Sequence, residues 1–538
     1  MDILKLINTR TTPQTMPASP GQVVNNAGGY VFEVSGEERI RRFLTLGTDG
    51  TYYTGAKELT LDNARIVLDW AVNRPVELVD IVVQVSEAGR APKNDTALLA
   101  LAAVASSGTS AEGRAYALAH LDRVARTGAH LFKFAEYVQQ FRGWGRGLRR
   151  AVASWYNDKT VEDLAYQLLK YRQRDGWTHR DLLRLSHPLA ADKHRNALYR
   201  YTARGGTARG GDVLIDSVIP PLVRAYESAQ KASTPLLVHL IVAYPLSWEM
   251  LPTEALTDPV VWAALINYGR VPLGALIRQL PRLTRLGLMD DKDIRDMVAG
   301  RLTDMNQLRK ARIHPVNVLV AQRTYASGQG KGSTWTPNRY ITDALDAAFY
   351  AAFGTVEPAG KRTLIGLDVS GSMTTQISGL PITAREASVA LSLVQLATEP
   401  ESDIVGFTGG GMWGADGTTL TPLNISPRQR LDDVCRNMRG MKFGATDCSL
   451  PMLYATEAGK QYDTFIIYTD NETYAGRMHP HQALEQYRER TGINAKLIVV
   501  GMTATNFTIA DPNDAGMLDV AGFDSAVPNL ISDFSRGL

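Results

Sequence analysis

Apolar residues recur at helical spacing through most of the first 350 positions of this chain. The runs "LDNARIVLDWAV", "ALLALAAVASS", "AYALAHLDRVA", "LFKFAEYVQQF" and "VEDLAYQLLKYRQR" each carry an apolar residue every three or four positions, the pattern of helices with one buried face. It continues through "VIPPLVRAYESAQ", "PLLVHLIVAYPLSW", "PVVWAALINYG" and "LGALIRQLPRLTRLG", with Gly, Pro or Asn/Asp/Ser/Thr clusters between runs. No repeat is exact. Helices joined by short loops, without intervening strands, suggest stacked pairs of the HEAT or armadillo type, and a compact bundle would show the same periodicity. A glycine-rich connector, residues 325–338, leads to a helical run and a hinge near residue 360. Thereafter short Ile/Val/Leu-rich runs ("TLIGLDV", "DIVGFTG", "TFIIYTD", "AKLIVVGM") alternate with helical stretches, which predicts an α/β domain on a mainly parallel sheet.

The chain of 538 residues is long for one core, which fits this division. Boundaries are expected at 1–20 for a flexible arm, 21–360 for the helical module and 361–538 for the α/β domain. The longest apolar stretches, such as Leu98–Ala105, fall short of the roughly 20 residues of a membrane span. The N-terminal segment lacks the basic flank and apolar core of a secretion signal. The two cysteines, Cys435 and Cys448, suit a reducing compartment, so a cytoplasmic location is expected.

Charge is unevenly placed. The whole chain is +3, but residues 361–538 hold 14 Lys+Arg against 20 Asp+Glu, while residues 142–209 hold 15 against 6. A positive excess this concentrated points to a polyanion, most simply nucleic acid. Within it, Lys170 and Arg174 are four apart and are expected on one helix face; after the "DGW" turn, Arg180, Arg184 and His187 fall at i, i+4, i+7 on a second. Trp177, His179 and His187 are placed to stack or donate, as single-stranded RNA requires. A solvated helix face would carry the same residues. Arg142, Arg146, Arg149, Arg150, Arg309, Lys310 and Arg312 suit either a nucleic-acid surface or a structural role, and Trp144 reads as core.

"LDVSGSM" ends an apolar strand with Asp368, Ser370 and Ser372 spaced two apart. Ligands of doubly wound sheets collect beyond the carboxyl ends of strands, and one or two carboxylates with hydroxyls describe a seat for Mg²⁺. Thr446 in "GATDCSLPM" and Asp470 in "TFIIYTDNET" supply two further oxygens. The five residues resemble the metal-ion-dependent adhesion site (MIDAS) of von Willebrand factor A domains; a hydrogen-bonded loop without metal is the plainer reading. "VSGSM" is not a hydrolase elbow. Ser370 stands where a dehalogenase-type phosphatase needs aspartate, and "GQGKGST" lacks the strand and first glycine of a phosphate-binding loop. No catalytic residues are assigned.

"NNAGGYVFEVSGEERIRRFLTLGTDGTYY", "KYRQRDGWTHRDLLRLSHP", "RIHPVNVLVAQRTYASG", "LDVSGSM", "GATDCSLPM" and "TDNETYAG" together resemble the Ro autoantigen family, RNA-binding proteins built from a TROVE module and a von Willebrand A domain. The resemblance runs from about residue 22 to the end. It implies an all-α ring of HEAT-like repeats closed by a Rossmann-like, doubly wound A domain. It further implies Y RNA on an outer basic surface and single-stranded 3′ ends of misfolded RNA in a central hole, for RNA quality control and stress response. Lys170, Arg174 and His187 fall at positions that carry Y RNA contacts in relatives; Arg180 and Arg184 extend the set by periodicity. A noncatalytic monomer working beside a 3′-exoribonuclease tethered through RNA follows from the same resemblance. The competing expectations are a metal-dependent adhesion module whose A domain takes a protein ligand, with the helical part as frame, and an RNA-processing enzyme, for which no acid–base pair stands beside the basic stripe.

Overall fold

The structure is a computed structural model that describes residues 11–47, 56–107, 109–204, 218–377, 381–409, 420–427, 429–430, 433–434 and 444–538, with backbone alone for 56–64. Residues 1–10 of the expected arm, and Cys435, lie outside the described residues. No helix among them is long and apolar enough to cross a membrane.

From Gly36–Leu46 to Arg339–Ala351 the described chain is almost entirely helical. Polar residues set the helix starts: the side chains of Ser35, Thr127, Thr160, Asp192, Asp291 and Asn338 each accept a backbone N–H from the first turn that follows. Helices pack on others nearby in the chain, both adjacent ones and ones separated by intervening helices. Pro75–Ala88 packs on Asp95–Ser106, Arg146–Asn157 on His179–Ser186, Val161–Lys170 on Pro221–Ala229, Thr234–Ala243 on Pro259–Asn267, and Lys292–Thr303 on Arg339–Ala351.

The run of helices returns on itself. Arg312 Nε donates to the Glu87 carbonyl at 2.7 Å, Asn317 Nδ2 to that of Pro92 at 2.9 Å, and His314 Nε2 meets the carbonyls of Arg90 (3.2 Å) and Phe523 (2.7 Å). Arg90 also pairs with Asp524, so the last helices, the early helices and the α/β domain meet at one joint. Two further ties fasten the α/β domain. Buried Arg42 grips Asp519 with two bonds of 2.7 and 2.6 Å, and Arg323 donates to Glu386 at 2.6 Å. The helices therefore close into a ring, with the α/β domain seated over the joint.

Strands are numbered along the chain. β1 (Gln22–Val24) and β2 (Tyr30–Glu33) precede the helices, and two short hairpins interrupt them: β3 (Gln173–Arg174) with β4 (Trp177–Thr178), and β5 (Gln329–Gly330) with β6 (Ser333–Thr334). The α/β domain contributes β7 (Thr363–Asp368), β8 (Ser402–Phe407), β9 (Leu420–Pro422), β10 (Thr464–Thr469), β11 (Lys496–Gly501), β12 (Phe507–Thr508) and β13 (Met517–Ala521). Its main sheet has the order β13-β11-β10-β7-β8-β9, parallel except for β9. Alternation along the central strands splits the core. Ile365, Leu367, Ile466, Tyr468, Ile498 and Val500 share a core with the helical module, whereas Leu364, Phe465, Ile467, Leu497 and Val499 form a second one on the other face.

The N-terminal segment packs with the α/β domain. β2 pairs with β12, and Val31 lies in the second core, so residues 22–33 belong structurally to the α/β domain. Residues 11–20, expected to be flexible, are tied to it as well. Gln14 is fully buried: its Nε2 donates to Asp447 Oδ1 and the Met478 carbonyl, both at 2.8 Å, and its Oε1 accepts from Thr473 Oγ1 at 2.6 Å. A glutamine satisfied by partners more than 400 residues away leaves no local trace in sequence.

Candidate functional site

The basic segment folds differently from its periodicity. The Val161–Lys170 helix stops at Lys170, and Arg174 lies on the β3–β4 hairpin rather than on the same helix. Asp175 (φ 51°) and Gly176 (φ 78°) form its two-residue turn, a conformation that Asp-Gly adopts readily. The strand-pairing preference of this turn outweighs helix continuation over Tyr171–Arg174. Thr178 then caps the His179–Ser186 helix in a capping box with Asp181. Arg180 and Arg184 stand one turn apart on that helix, and His187 closes it in a left-handed conformation (φ 48°).

Four of the five residues face solvent: Arg174, Arg180, Arg184 and His187 are exposed. Arg174 is 3.8 Å from its neighbour Asp175, and among the described residues Arg180 and Arg184 form no ion pair. Lys170 is different. Its side chain is 7% exposed, with Nζ 3.8 Å from Glu249 Oε1, hydrogen-bonded to Tyr166 Oη at 3.2 Å and lying over the rings of Tyr166 and Tyr171. Burial pulls its pKa down, but the two tyrosines and Glu249 outweigh burial and raise it. Lys170 is thus an enclosed cation held by Tyr166, Tyr171 and Glu249. His179 is also removed from the surface. It is buried against Phe132, bonded to Tyr156 Oη through Nδ1 at 2.8 Å, and pulled down to about 3 by burial. Trp177 is half-buried and packs on Trp144 with centroids 5.8 Å apart.

The oxygen cluster forms where β7 and β10 end. Asp368 Oδ1 accepts the Ser370 N–H at 2.9 Å, Asp368 Oδ2 accepts Thr469 Oγ1 at 2.7 Å, and the Ser370 and Ser372 hydroxyls are 3.0 Å apart. The Thr446 carbonyl accepts the N–H groups of Tyr474 and Ala475 at 3.1 and 3.0 Å, fastening its loop to the one after Asp470. All five side chains are 0–3% exposed. Thr446 Oγ1 and Asp470 Oδ2 are buried without a partner. Burial, and then the neighbouring Asp368 charge, push the Asp470 carboxyl up to about 8; burial also raises Asp368. Two buried carboxylates with hydroxyls and orphaned oxygens are a donor set that fits a hard divalent cation.

Sequence reading missed the supports of this cluster. Arg385, buried, donates to the carbonyls of Val369 (2.9 Å) and Ser370 (2.8 Å) and faces Asp368 electrostatically. Asn25 Nδ2 donates to the carbonyls of Asn471 and Thr473, and Asn26 Nδ2 to Glu472 at 2.7 Å, so the N-terminal segment clamps the loop after Asp470. "ITAREAS" and "VVNNAGG" carry no spacing that announces either role.

Family models match both parts of the chain: the TROVE domain at residues 23–208 and 239–332, and the Ro60 vWA domain at 362–535. The RNA-binding protein RO60 of Caenorhabditis elegans is 38% identical, over 98% of this chain and 92% of the relative. The protein of the same name from Deinococcus radiodurans is 40% identical, over 100% and 99% respectively. This chain belongs to the Ro60 family. The crystal structure of Deinococcus radiodurans RO (RSR) protein is similar over 94% of this chain and 100% of its own, with a TM-score of 0.68 and 38% identity. The fold class of the Ro60 family, helical repeats joined to a doubly wound A domain, is the one described above.

Proposed function

We propose that this chain is a noncatalytic RNA-binding scaffold of a ribonucleoprotein. The observation that carries the reading is the exposed set Arg174, Arg180, Arg184 and His187, raised on a hairpin and the helix it caps, inside the most basic segment of the chain. Full-length relatives named RNA-binding proteins support it. Arg180 and Arg184, whose guanidinium groups form no ion pair among the described residues, and the exposed Arg174 suit phosphates, which supply most of the affinity in such interfaces. The partner is a small structured noncoding RNA of the Y RNA class, held on this outer basic surface. Single-stranded 3′ ends of misfolded RNA enter the hole of the ring, and a 3′-exoribonuclease joins through the RNA tether. Purification from its own cells under native conditions, with sequencing of the bound RNA and identification of bound proteins, tests this reading; recovery without RNA refutes it.

The A domain is proposed to hold one divalent cation, Mg²⁺ by the hardness of its donors, through Asp368, Ser370, Ser372, Thr446 and Asp470. When bound, the cation supplies positive charge that lets both buried carboxylates ionise together. Adhesion to a protein carboxylate is the less favoured role, because the five side chains are enclosed.

A further inference from the structure

The oxygens of the cation seat come from three loops, and two of these are held by a distant part of the chain. Residues 14–29 cross them as a strap. Gln14 spans both loops: its Nε2 donates to Asp447, the residue after Thr446, at 2.8 Å, and its Oε1 accepts from the Thr473 hydroxyl, beyond Asp470, at 2.6 Å. The Thr473 hydroxyl also accepts the Cys448 N–H at 3.1 Å, so one Gln–Thr pair sets the spacing of the Thr446 and Asp470 loops. Further along, Asn25 Nδ2 donates to the carbonyls of Asn471 (3.2 Å) and Thr473 (2.8 Å). Asn26 Nδ2 and the Ala27 N–H both donate to the Glu472 carboxylate, at 2.7 and 3.1 Å.

These bonds fall where the seat needs support. Asn471, next to Asp470, stands in the left-handed region (φ 66°), a sparsely populated conformation that persists where surrounding bonds impose it. The strap runs as near as backbone can, since a β-carbon at Gly29 would lie 1.8 Å from the Thr473 carbonyl oxygen. Thr446 Oγ1 and Asp470 Oδ2, the seat oxygens buried without a partner, belong to the two strapped loops. Asp368, Ser370 and Ser372 belong to the third, and among the described residues no hydrogen bond of the strap reaches it.

We propose that residues 14–29 are a positioning strap for the cation seat, so that a divalent cation is held tightly only while the strap is docked, and the docked strap is held more firmly once the cation is bound. This coupling rests on the cation reading given above and extends it from five ligands to the segment that positions two of them. The two effects are one free energy seen from either side, so they must be equal in size. Groups that orient metal ligands commonly change metal affinity by about 10–100-fold. Three of the five ligands are independent of the strap, which places the expected coupling at the low end, about tenfold.

The test uses the full chain titrated with Mg²⁺ by isothermal calorimetry, at a temperature where circular dichroism shows parent and variant both folded. N25A/N26A is expected to bind Mg²⁺ about tenfold more weakly than the parent. N26A, whose side chain is exposed, takes the place of the double variant if that does not fold, and is expected to act in the same direction. Equal affinity in parent and variant overturns the proposal and leaves the cation seat standing. Hydrogen–deuterium exchange reads the reciprocal effect without touching the strap. Amides of residues 14–29 are expected to exchange about tenfold more slowly in the parent at saturating Mg²⁺, and at an unchanged rate in D368N, with β11 as the internal reference. A strap with a structural role alone would exchange at one rate with and without the cation, and that result overturns the proposal. If the parent shows neither calorimetric binding nor slowed exchange, the cation reading itself fails and the coupling falls with it.

Discussion

Replacing Arg174, Arg180 and Arg184 together by alanine should separate RNA affinity from stability. All three side chains are exposed, and none is needed by a buried carboxylate. Surface changes of this kind usually alter stability by less than about 0.5 kcal/mol each. A charge-assisted phosphate contact contributes on the order of 1 kcal/mol net, so three lost contacts should weaken binding by about 3 kcal/mol, roughly a hundredfold in Kd. Each lost contact should also lower the slope of log K against log salt by about one. Filter binding of a structured stem–loop RNA between low and moderate salt measures both quantities, with thermal unfolding as control. The contrast is Lys170→Ala. With Lys170 almost enclosed beneath Tyr166 and Tyr171 and facing Glu249, its loss should destabilise the fold by about 1–3 kcal/mol, with less change in slope than the triple variant. An unchanged slope in the triple variant, or a slope change in Lys170→Ala alone, would refute this division of roles.

Asp368→Asn should abolish any rise in melting temperature produced by Mg²⁺ in the parent while leaving RNA affinity largely intact; an equal rise in both proteins removes Asp368 from the cation seat. Gln14→Ala should cost about 1–3 kcal/mol, because it leaves Asp447 and the Thr473 hydroxyl with fewer buried bonds, and unaltered urea unfolding would contradict the clamp. His314, neutral at the ring joint, is pulled down from its ordinary 6.5 to about 4 by burial. The unfolded chain therefore binds more protons between those values, and stability should fall as pH drops from about 6.5 to about 4, by roughly 1.4 kcal/mol per unit. His314→Gln should lose that part of the pH slope, whereas the contribution of His179 stays in both proteins; identical slopes would show that His314 is not held neutral.

Periodicity made the architecture legible, because one-sided helices and doubly buried strands each impose their own spacing on apolar residues. The Asp368, Ser370 and Ser372 loop was legible for the same reason, standing at the visible end of an apolar strand. Periodicity failed at Lys170–Arg174, where helical spacing carries past a stop set by the Asp175–Gly176 turn. It failed again for His179, since a polar residue at a helix start gives no sign that Phe132 and Tyr156 will enclose it. The N-terminal clamp was illegible in principle. Gln14, Asn25 and Asn26 act through bonds to loops at the far end of the chain, and nothing in their local sequence marks such partners.

Ultraviolet crosslinking of the native ribonucleoprotein, with mass spectrometric identification of the peptides joined to RNA, tests the central claim most directly. Crosslinks concentrated on the segment from Arg172 to His187 are the predicted result. Crosslinks confined to the A domain, with that segment unmarked, would contradict it.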